Sequence, residues 1–348
     1  MKKLESRKKT GLSVGELLVG GVLGINFIFG FAWPFFKLMT YAGKKRVTAV
    51  QDQQSKKQKD TSTKKWFELR HTKVNHPRYR FEDEYEATKA WCEAQNMQDM
   101  YIESLDGLKL HASYFPAHNA ERIVVMVHGY RGTSFGSIAH IAKLLHDNRC
   151  DLLFVDQRCC GNSEGKYITF GAKEQLDVYE WVHYINDLNG NSEDGKKLPI
   201  YLYGQSMGAT TVLLAAGHRL PEEVKGVIAD AGYHNMKQQL SDIASGWFHL
   251  RWIDFLLYRV DIYCRVFAGF SMKETDVTNA LKKNKLPVLF FHGVDDTYVW
   301  PSNSVHNYEI CTAKKKLILI PHARHLCCSY VDPKKYNKAV LTFFEKTK

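Results

Sequence analysis

The sequence predicts an α/β protein with a mostly parallel sheet of eight strands, helices on both faces, a helical cap and an N-terminal transmembrane helix. From Met100 onward, short apolar and β-branched runs alternate with longer stretches of helical periodicity, which is typical of a parallel sheet covered by helices. Several of the short runs are apolar on both faces, as buried parallel strands are. Because 45% of the 348 residues are hydrophobic, the chain can bury a large core.

The predicted elements alternate along the chain with one interruption. Between Gly232 and Lys285 the chain runs long without a strand, and we interpret about residues 232–285 as a cap over the sheet. The predicted strands are Met100–Ser104, Leu108–Phe115, Arg122–Val127, Asp151–Val155, Ile200–Tyr203, Gly226–Ala229, Val288–Phe291 and Leu317–Ile320. The predicted helices are Phe81–Gln95, Ile138–Asp147, Ala172–Asn186, Met207–Leu220, Ser302–Cys311 and Pro333–Thr347.

The positive charge of the chain is concentrated at its N-terminus. The formal net charge is +11, but residues 1–80 carry 18 Lys and Arg against 5 Asp and Glu, and residues 81–348 are net −2. An apolar run from Leu17 to Phe36, interrupted only by Asn26 and Pro34, lies between the basic clusters and has the length of a membrane-spanning helix. The charge therefore flanks a membrane segment, whereas a nucleic-acid-binding domain would carry the excess itself.

This apolar run divides the chain into a basic N-terminus (1–10), a transmembrane anchor (11–40), a basic polar linker (41–80) and a folded domain (81–348). A cleaved signal peptide and a buried core helix are the alternatives. Basic clusters on both sides argue against the core helix, and the long apolar run with its poor cleavage site argues against the signal peptide. We expect a single-pass cell-membrane protein, and the short basic N-terminus favours a domain outside the cytoplasm.

The eight cysteines indicate neither a metal site nor a disulfide framework. No CxxC spacing occurs in the sequence, so zinc and redox sites have little support. Adjacent pairs such as Cys159 and Cys160 rarely form disulfides comfortably. We expect scattered buried cysteines, no metal and no cofactor.

One serine stands at a strand-to-helix junction. The run Ile200–Ala209 consists of a strand, then GxSxG with Ser206 at its centre, then the start of a helix rich in Ala and Leu. Glycines at 204 and 208 allow a tight turn that pushes the hydroxyl out at the end of the sheet. The amide of Met207 begins the helix, where the positive end of the dipole can receive an oxyanion. GxSxG alone is a weak signal, and its place between strand and helix is what indicates a nucleophile.

Candidate partners for this serine follow later predicted strands. Two carboxylates, Asp295 and Asp296, come just after one strand, and two histidines, His322 and His325, follow the last. A serine of ordinary pKa needs a base, and the base needs an orienting acid. The order along the chain is then Ser, Asp, His. Together with the strand–GxSxG–helix unit, this order resembles the α/β-hydrolase family.

The resemblance implies an acid. In this family the acid is commonly the fifth residue of an HGxxDxxV run, which His292–Val299 matches with Asp296 in that position. Asp295 is the second candidate, and Asp230, after the preceding strand, is a weaker one. We expect His292 to shape the turn after its strand rather than to take part in chemistry.

The resemblance also implies a base. The family's histidine follows the last strand and often precedes a small residue and an aromatic one. His325, with Ser329-Tyr330 after it, matches this pattern better than His322 does. We interpret His322 as a surface histidine.

Two further stretches carry the resemblance. His128-Gly129 follows the third strand, as an HG pair does in the family, so the backbone amide of Tyr130 would join that of Met207 in an oxyanion hole. Residues 156–165 resemble the family's DxRxxGxSxG stretch, which fixes the loop after the fourth strand. Here Cys159-Cys160 stands where Gly-His is frequent, which leaves the conformation of that loop open.

The similarity covers about residues 100–345 and is greatest to membrane-anchored bacterial serine hydrolases related to the serine aminopeptidase-like and cinnamoyl-esterase-like groups. It implies an α/β-hydrolase fold and hydrolysis of a carboxylic ester or related small acyl substrate through an acyl-enzyme, by a triad of Ser206, His325 and Asp296. A peptidase or thioesterase with the same triad is one alternative. A catalytically silent, membrane-tethered binding module is another, although such proteins typically lose a triad member. The net charge of the domain excludes a nucleic-acid partner.

Overall fold

The structure, a computed structural model, describes residues 30, 32–45, 77–133, 138–189, 197–249 and 253–347. Its strands are β1 (Tyr41–Lys45), β2 (Gln98–Glu103), β3 (Lys109–Phe115), β4 (Arg122–Val127), β5 (Cys150–Val155), β6 (Gly165–Tyr167), β7 (Ile200–Gln205), β8 (Val224–Asp230), β9 (Val288–Gly293) and β10 (Lys315–Ile320). Its helices are α1 (Pro77–Arg80), α2 (Glu82–Glu93), α3 (Ala139–Asp147), α4 (Glu174–Leu188), α5 (Met207–Ala215), α6 (Met236–Phe248), α7 (Asp254–Tyr263), α8 (Thr278–Lys283), α9 (Pro301–Ile310), α10 (Cys328–Val331) and α11 (Pro333–Lys346).

Eight of the strands in the described part of the chain form one sheet, in the order β10-β9-β8-β7-β4-β5-β3-β2. All neighbouring pairs from β10 to β5 are parallel, and β3 is antiparallel to both β5 and β2. The mostly parallel eight-stranded sheet predicted from the sequence is therefore confirmed. Because the carboxyl ends of the parallel strands share one edge, the loops that follow β4, β7, β8, β9 and β10 are brought together there.

The predicted strands agree with the observed ones to within two residues at each end. The largest difference is in α5, which was expected to continue to Leu220 and ends at Ala215. The amides of Gly217 and His218 bond to the carbonyls of Leu214 and Ala215, and these short-range bonds tighten the last turn and end the helix.

Two apolar clusters cover the two faces of the sheet. One packs α4, α5 and α8 against the sheet and contains the fully buried Trp181. The other packs α3 and α11 against the opposite face and contains Phe291 and Tyr336, whose rings stack with centroids 4.1 Å apart. Helices on both faces explain why the central strands β4, β5 and β7 are buried at every position.

A third apolar cluster lies beyond the sheet. It joins α6 and α7 and the π-helical turn Cys264–Ala268 to Met207 at the start of α5 and to a segment from the N-terminus. The cap therefore packs onto the end of the sheet at which Ser206 lies. Leu257, Val260 and Phe270 are among the residues of the predicted cap that are buried.

The N-terminal segment, residues 32–45, is called the N-terminal strap below. Its residues 32–40 are helical, and β1 then pairs antiparallel with β6. Ala32, Phe36 and Met39 are buried in the third apolar cluster. The end of the predicted anchor thus packs against the folded domain.

The remainder of the predicted anchor, residues 11–29 and residue 31, lies outside the described residues, as do residues 46–76 of the predicted linker. Across the described ranges, no helix combines the length and the apolar character needed to cross a membrane.

Candidate active site

Ser206 occupies a strained turn between β7 and α5. Its backbone has φ of +53° and ψ of −118°, a conformation that costs a non-glycine residue free energy and is often found at functional sites. A Cβ atom at position 204 would lie 2.3 Å from the carbonyl oxygen of Gly208, and one at 208 would lie 2.1 Å from that of Val127. Both glycines are required because the turn folds tightly on itself and against β4.

The structure brings Ser206, His325 and Asp296 together from three different loops. The Oγ of Ser206 lies 3.0 Å from Nε2 of His325, and Nδ1 of His325 lies 2.7 Å from Oδ2 of Asp296. The exposed fractions of the three residues are 5%, 5% and 3%. With Nδ1–H donating to the carboxylate, Nε2 is left to accept the serine proton, which is the geometry of a nucleophile, its base and an orienting acid.

The register of β9 and β10 accounts for part of this arrangement. The two strands run parallel with Gly293 opposite Ile320, so the chain leaves both at the same level of the sheet. Asp296 follows β9 by three residues and His325 follows β10 by five. Two groups separated by 29 positions in the sequence are therefore hydrogen-bonded.

The carboxylate of Asp296 is held in its ionised form by its surroundings. Its Oδ1 accepts hydrogen bonds from the amides of Tyr298 at 2.8 Å and Val299 at 3.0 Å. Burial alone would raise the pKa of Asp296, but the nearby rings of His325 and His292 lower it below its ordinary range. An ionised carboxylate is what an orienting acid needs at neutral pH.

His292 contributes to the same site more directly than the sequence suggested. It is fully buried, its Nε2 donates to the carbonyl of Val299 at 2.8 Å, and its Nδ1 lies 2.6 Å from Oγ of Ser304. The same Nε2 is 3.3 Å from Oδ2 of Asp296. His292 shapes the loop after β9, as expected, and also faces the acid.

The alternative acids and base occupy other positions. Asp295 and His322 face each other at 3.9 Å, with side chains 51% and 89% exposed. Asp230 is buried, and its Oδ2 accepts from the hydroxyl of Tyr336 at 2.9 Å. Burial raises the pKa of Asp230 to about 6. Its backbone carbonyl accepts from the amide of Ser206 at 2.8 Å, so Asp230 supports the turn at the nucleophile.

The loop after β4, residues 128–132, approaches the serine from the opposite side. A Cβ atom at Gly129 would lie 3.3 Å from that of Ser206. The ring of His128 accepts from the amide of Gln157 at 3.1 Å through Nε2 and lies 2.7 Å from the Gly129 carbonyl through Nδ1. Because the N–H and C=O of a trans peptide point in opposite directions, this bond directs the amide of Tyr130 away from the imidazole. Met207, the other expected oxyanion donor, is the first residue of α5.

The loop after β5 is fixed by its polar residues. Asp156 accepts from the ring of His111 at 2.8 Å and from the amide of Asn162 at 2.8 Å. Arg158 donates to both oxygens of Asp177, at 2.7 and 2.6 Å. Cys159 adopts a left-handed φ of +69°, so the departure from the family pattern is accommodated there without a glycine.

All eight cysteines lie in the described part of the chain and are buried, as expected, and no two of them are joined by a disulfide there. No group of three or more His, Cys, Asp and Glu side chains suited to a metal ion occurs within the described ranges.

Sequence reasoning missed two parts of the site. The ring of Tyr298 packs on that of His325 with centroids 4.9 Å apart, and its position inside the HGxxDxxV run was the available signal. Arg131 and Tyr130 bind the N-terminal strap through its backbone carbonyls, and no local pattern marks such a contact.

Comparisons with known proteins agree with this architecture. Residues 118–260 match the family described as serine aminopeptidase, S33; the matched range includes Ser206 and ends before Asp296 and His325. The uncharacterized protein YqkD of Bacillus subtilis is 26% identical over 245 residues, which cover 70% of this chain and 78% of YqkD. The monoglyceride lipase of Saccharomyces cerevisiae is 24% identical over 287 residues, covering 69% of this chain and 90% of the lipase.

Two solved structures are similar over most of the described chain. The Pyrococcus furiosus esterase Pf2001 has a TM-score of 0.57 and 21% identity, covering 72% of this chain and 91% of the esterase. Est1E from Butyrivibrio proteoclasticus, in a structure with ferulic acid bound, has a TM-score of 0.55 and 23% identity, covering 71% of this chain and 98% of Est1E. The chain has the α/β-hydrolase fold.

Proposed function

We propose that this chain, a member of the α/β-hydrolase superfamily, is a serine esterase that hydrolyses carboxylic esters of apolar acyl groups. One observation carries the proposal: an unbroken path of hydrogen bonds runs from the hydroxyl of Ser206 through His325 to the ionised carboxylate of Asp296, with distances of 3.0 and 2.7 Å. Ser206 itself lies on a strained turn beside the first amide of a helix.

In the first half of the reaction, Oγ of Ser206 attacks the ester carbonyl and His325 takes its proton at Nε2. The negative charge of Asp296 stabilises the imidazolium that forms. The amides of Met207 and Tyr130 receive the oxyanion, and each such donor is worth about 3 kcal/mol in the transition state. His325 then returns the proton to the departing alkoxide, and an alcohol and an acyl-enzyme result.

In the second half, a water molecule attacks the acyl-enzyme while His325 again accepts a proton. The tetrahedral intermediate collapses, the carboxylic acid leaves and Ser206 regains its hydrogen. The strained backbone at Ser206 supports both steps because it directs the hydroxyl towards His325 rather than folding it into the helix.

The surroundings of the serine support an apolar acyl group. Met207 belongs to the cluster that also contains Phe170, Tyr233, Met236 and Val299. Burial of each additional methylene of the acyl chain would stabilise the bound substrate by about 0.8 kcal/mol. The esterase structures and the lipase relative described above support an ester substrate, and the match to the serine aminopeptidase family makes a peptide amide the competitor.

A panel of p-nitrophenyl esters of increasing acyl length, with an aminoacyl p-nitroanilide included, tests this proposal. We expect kcat/KM to rise by about two- to fourfold for each added methylene until the pocket is filled, and the anilide to be turned over far more slowly. Faster cleavage of the anilide than of every ester would replace the esterase with a peptidase. Absence of hydrolysis across the panel would favour a binding module.

We further propose that the apolar N-terminal run anchors the chain in the cell membrane. Residues 32–40 pack against the domain, so the anchor is drawn from the residues before Gly30. Residues 11–29 of the predicted anchor, if helical, would extend about 28 Å at 1.5 Å per residue, close to the roughly 30 Å of a hydrocarbon core. The expected result is that the full chain stays with the membrane fraction after an alkaline wash, and its release by the wash would reject the anchor.

A further inference from the structure

The N-terminal strap is held against the domain at two places apart from the active site. The ring of Trp33 packs on Tyr263 and Phe267 of the cap region, with centroids 5.3 and 4.8 Å apart. The amide of Ile168 donates to the carbonyl of Thr40 at 2.8 Å, beside the β1–β6 pairing. Phe36 is completely buried. The strap is thus an integral part of the fold.

A third attachment joins the strap to the loop that supplies the Tyr130 amide. Nη2 of Arg131 donates to the carbonyls of Leu38 and Tyr41, at 3.0 Å each, and its Nε donates to the hydroxyl oxygen of Tyr130 at 2.8 Å. That hydroxyl in turn donates to the carbonyl of Met39 at 2.7 Å. One guanidinium and one phenol therefore bind three backbone carbonyls of the strap.

The position of these carbonyls explains why the attachment is favourable. Residues 38 and 39 lie in the last turn of the helical stretch 32–40, where carbonyl groups have no partner within the helix. The negative end of the helix dipole is also there, and it attracts a cation such as the guanidinium of Arg131. The donors of the loop therefore supply hydrogen bonds to strap carbonyls that the helix itself leaves without a partner.

The loop needs such support because its backbone is strained. Arg131 has a φ of +52°, in the left-handed region that a residue with a Cβ rarely adopts. The ring of Tyr130 also stacks on Phe170, with centroids 5.3 Å apart. Gly129, the preceding residue, is so close to the nucleophile that a Cβ atom there would lie 3.3 Å from that of Ser206. A shift of the loop would therefore move the Tyr130 amide relative to the oxyanion.

We propose that the N-terminal strap holds the oxyanion loop in its working conformation, and that Arg131 is the positioning residue that couples the two. This inference rests on the proposed function, since it assigns the loop a part in ester hydrolysis. Arg131 acts through the amide of Tyr130 and does not contact the substrate. Loss of the coupling therefore weakens transition-state binding and leaves ground-state binding of the ester unchanged.

The first experiment compares Arg131→Ala, Arg131→Lys and a matched control in the full chain. Complete removal of an oxyanion donor costs roughly 10²–10³ in kcat, so a displaced donor in Arg131→Ala should cost about tenfold, with KM changed less than twofold. Affinity for a boronic acid, which forms a tetrahedral adduct on the serine, should fall by the same factor. Arg131→Lys keeps one charged donor, so its kcat and its affinity for the boronic acid should lie between those of the wild type and Arg131→Ala.

Arg149→Ala is the matched control. Arg149 also has a left-handed φ, of +58°, is exposed, and pairs with Glu121 at the start of β5, away from the carboxyl ends of the strands. Its replacement should leave kcat, KM and boronic acid affinity unchanged. An unchanged kcat in Arg131→Ala, or an equal loss in Arg149→Ala, would overturn the inference.

The second experiment asks whether Arg131 acts through the strap. Phe36→Ala removes the buried ring that holds the strap on the domain, and it should lower kcat in the same way. If both changes act by releasing the strap, the double variant should lose little more than the larger single loss. Losses that multiply would show that Arg131 acts independently of the strap and would refute the coupling. Wild-type protein without esterase activity would instead refute the proposed function.

Discussion

Replacement of Ser206 by alanine should abolish ester hydrolysis and leave the fold intact. We expect kcat on a short p-nitrophenyl ester to fall by at least about 10⁴-fold, because the nucleophile and its base act as a unit. The change removes one oxygen from a residue that is 5% exposed and introduces no new atom into the tight turn. Circular dichroism and the thermal midpoint should therefore remain close to those of the wild type.

A fluorophosphonate probe gives the same prediction a chemical readout. It should label the wild-type chain once and fail to label Ser206→Ala. Ser302→Ala, at an exposed position near the start of α9, is the matched control and should be labelled at the wild-type rate. A Ser206→Ala protein that still hydrolyses the ester or still reacts with the probe would rule out this serine as the nucleophile.

Replacement of Asp296 by asparagine should have the second largest effect, a fall in kcat of about 10³–10⁴-fold with little change in KM. An amide in place of the carboxylate can donate to Nδ1 of His325, which then carries its proton on Nε2 and can no longer accept from Ser206. The buried imidazolium would also lose the negative charge that stabilises it. The measurement is steady-state kinetics on the same ester.

Asp295→Asn is the matched control for this experiment, because it makes the same substitution at the preceding position. Asp295 is exposed and lies 3.9 Å from His322, so its replacement should alter kcat by less than about twofold. A large loss in Asp295→Asn with a mild effect in Asp296→Asn would reverse the assignment of the acid.

The sheet could be predicted from the sequence because its signals are local. Each strand is a short apolar run next to a turn, and the central strands are buried on both faces, so their composition alone distinguishes them. The turn at Ser206 could be located for the same reason. Its two glycines are required by contacts within a few residues and with the adjacent strand β4.

The choice between neighbouring acids depended on contacts that the sequence does not display. Asp295 and Asp296 have the same chemistry and differ in direction. The turn that follows β9 points Asp296 at its own loop amides and at His325, and it points Asp295 towards solvent. In the sequence, only the family resemblance favours Asp296 over Asp295 as the acid.

The strap could not be predicted because its residues fit two environments equally well. Trp33 and Phe36 belong to an apolar run whose length predicts a membrane-spanning helix. Aromatic side chains are favourable both at a bilayer interface and in a protein core, so their presence does not distinguish the two environments. The partners that bury them, Tyr263 and Phe267, are more than 200 positions away in the sequence. Contacts over such separations leave no local periodicity.

The strap has a practical consequence for preparing this protein in water. The domain boundary predicted from the sequence suggests removing residues 1–80, which include the predicted anchor. This truncation would also remove Phe36, whose ring packs between Tyr167 and Tyr263. The aromatic surface exposed in this way would promote aggregation of the shortened protein. A shortened chain that begins at Gly30 keeps Phe36 in place, and the need for detergent could then be judged on an intact folded domain.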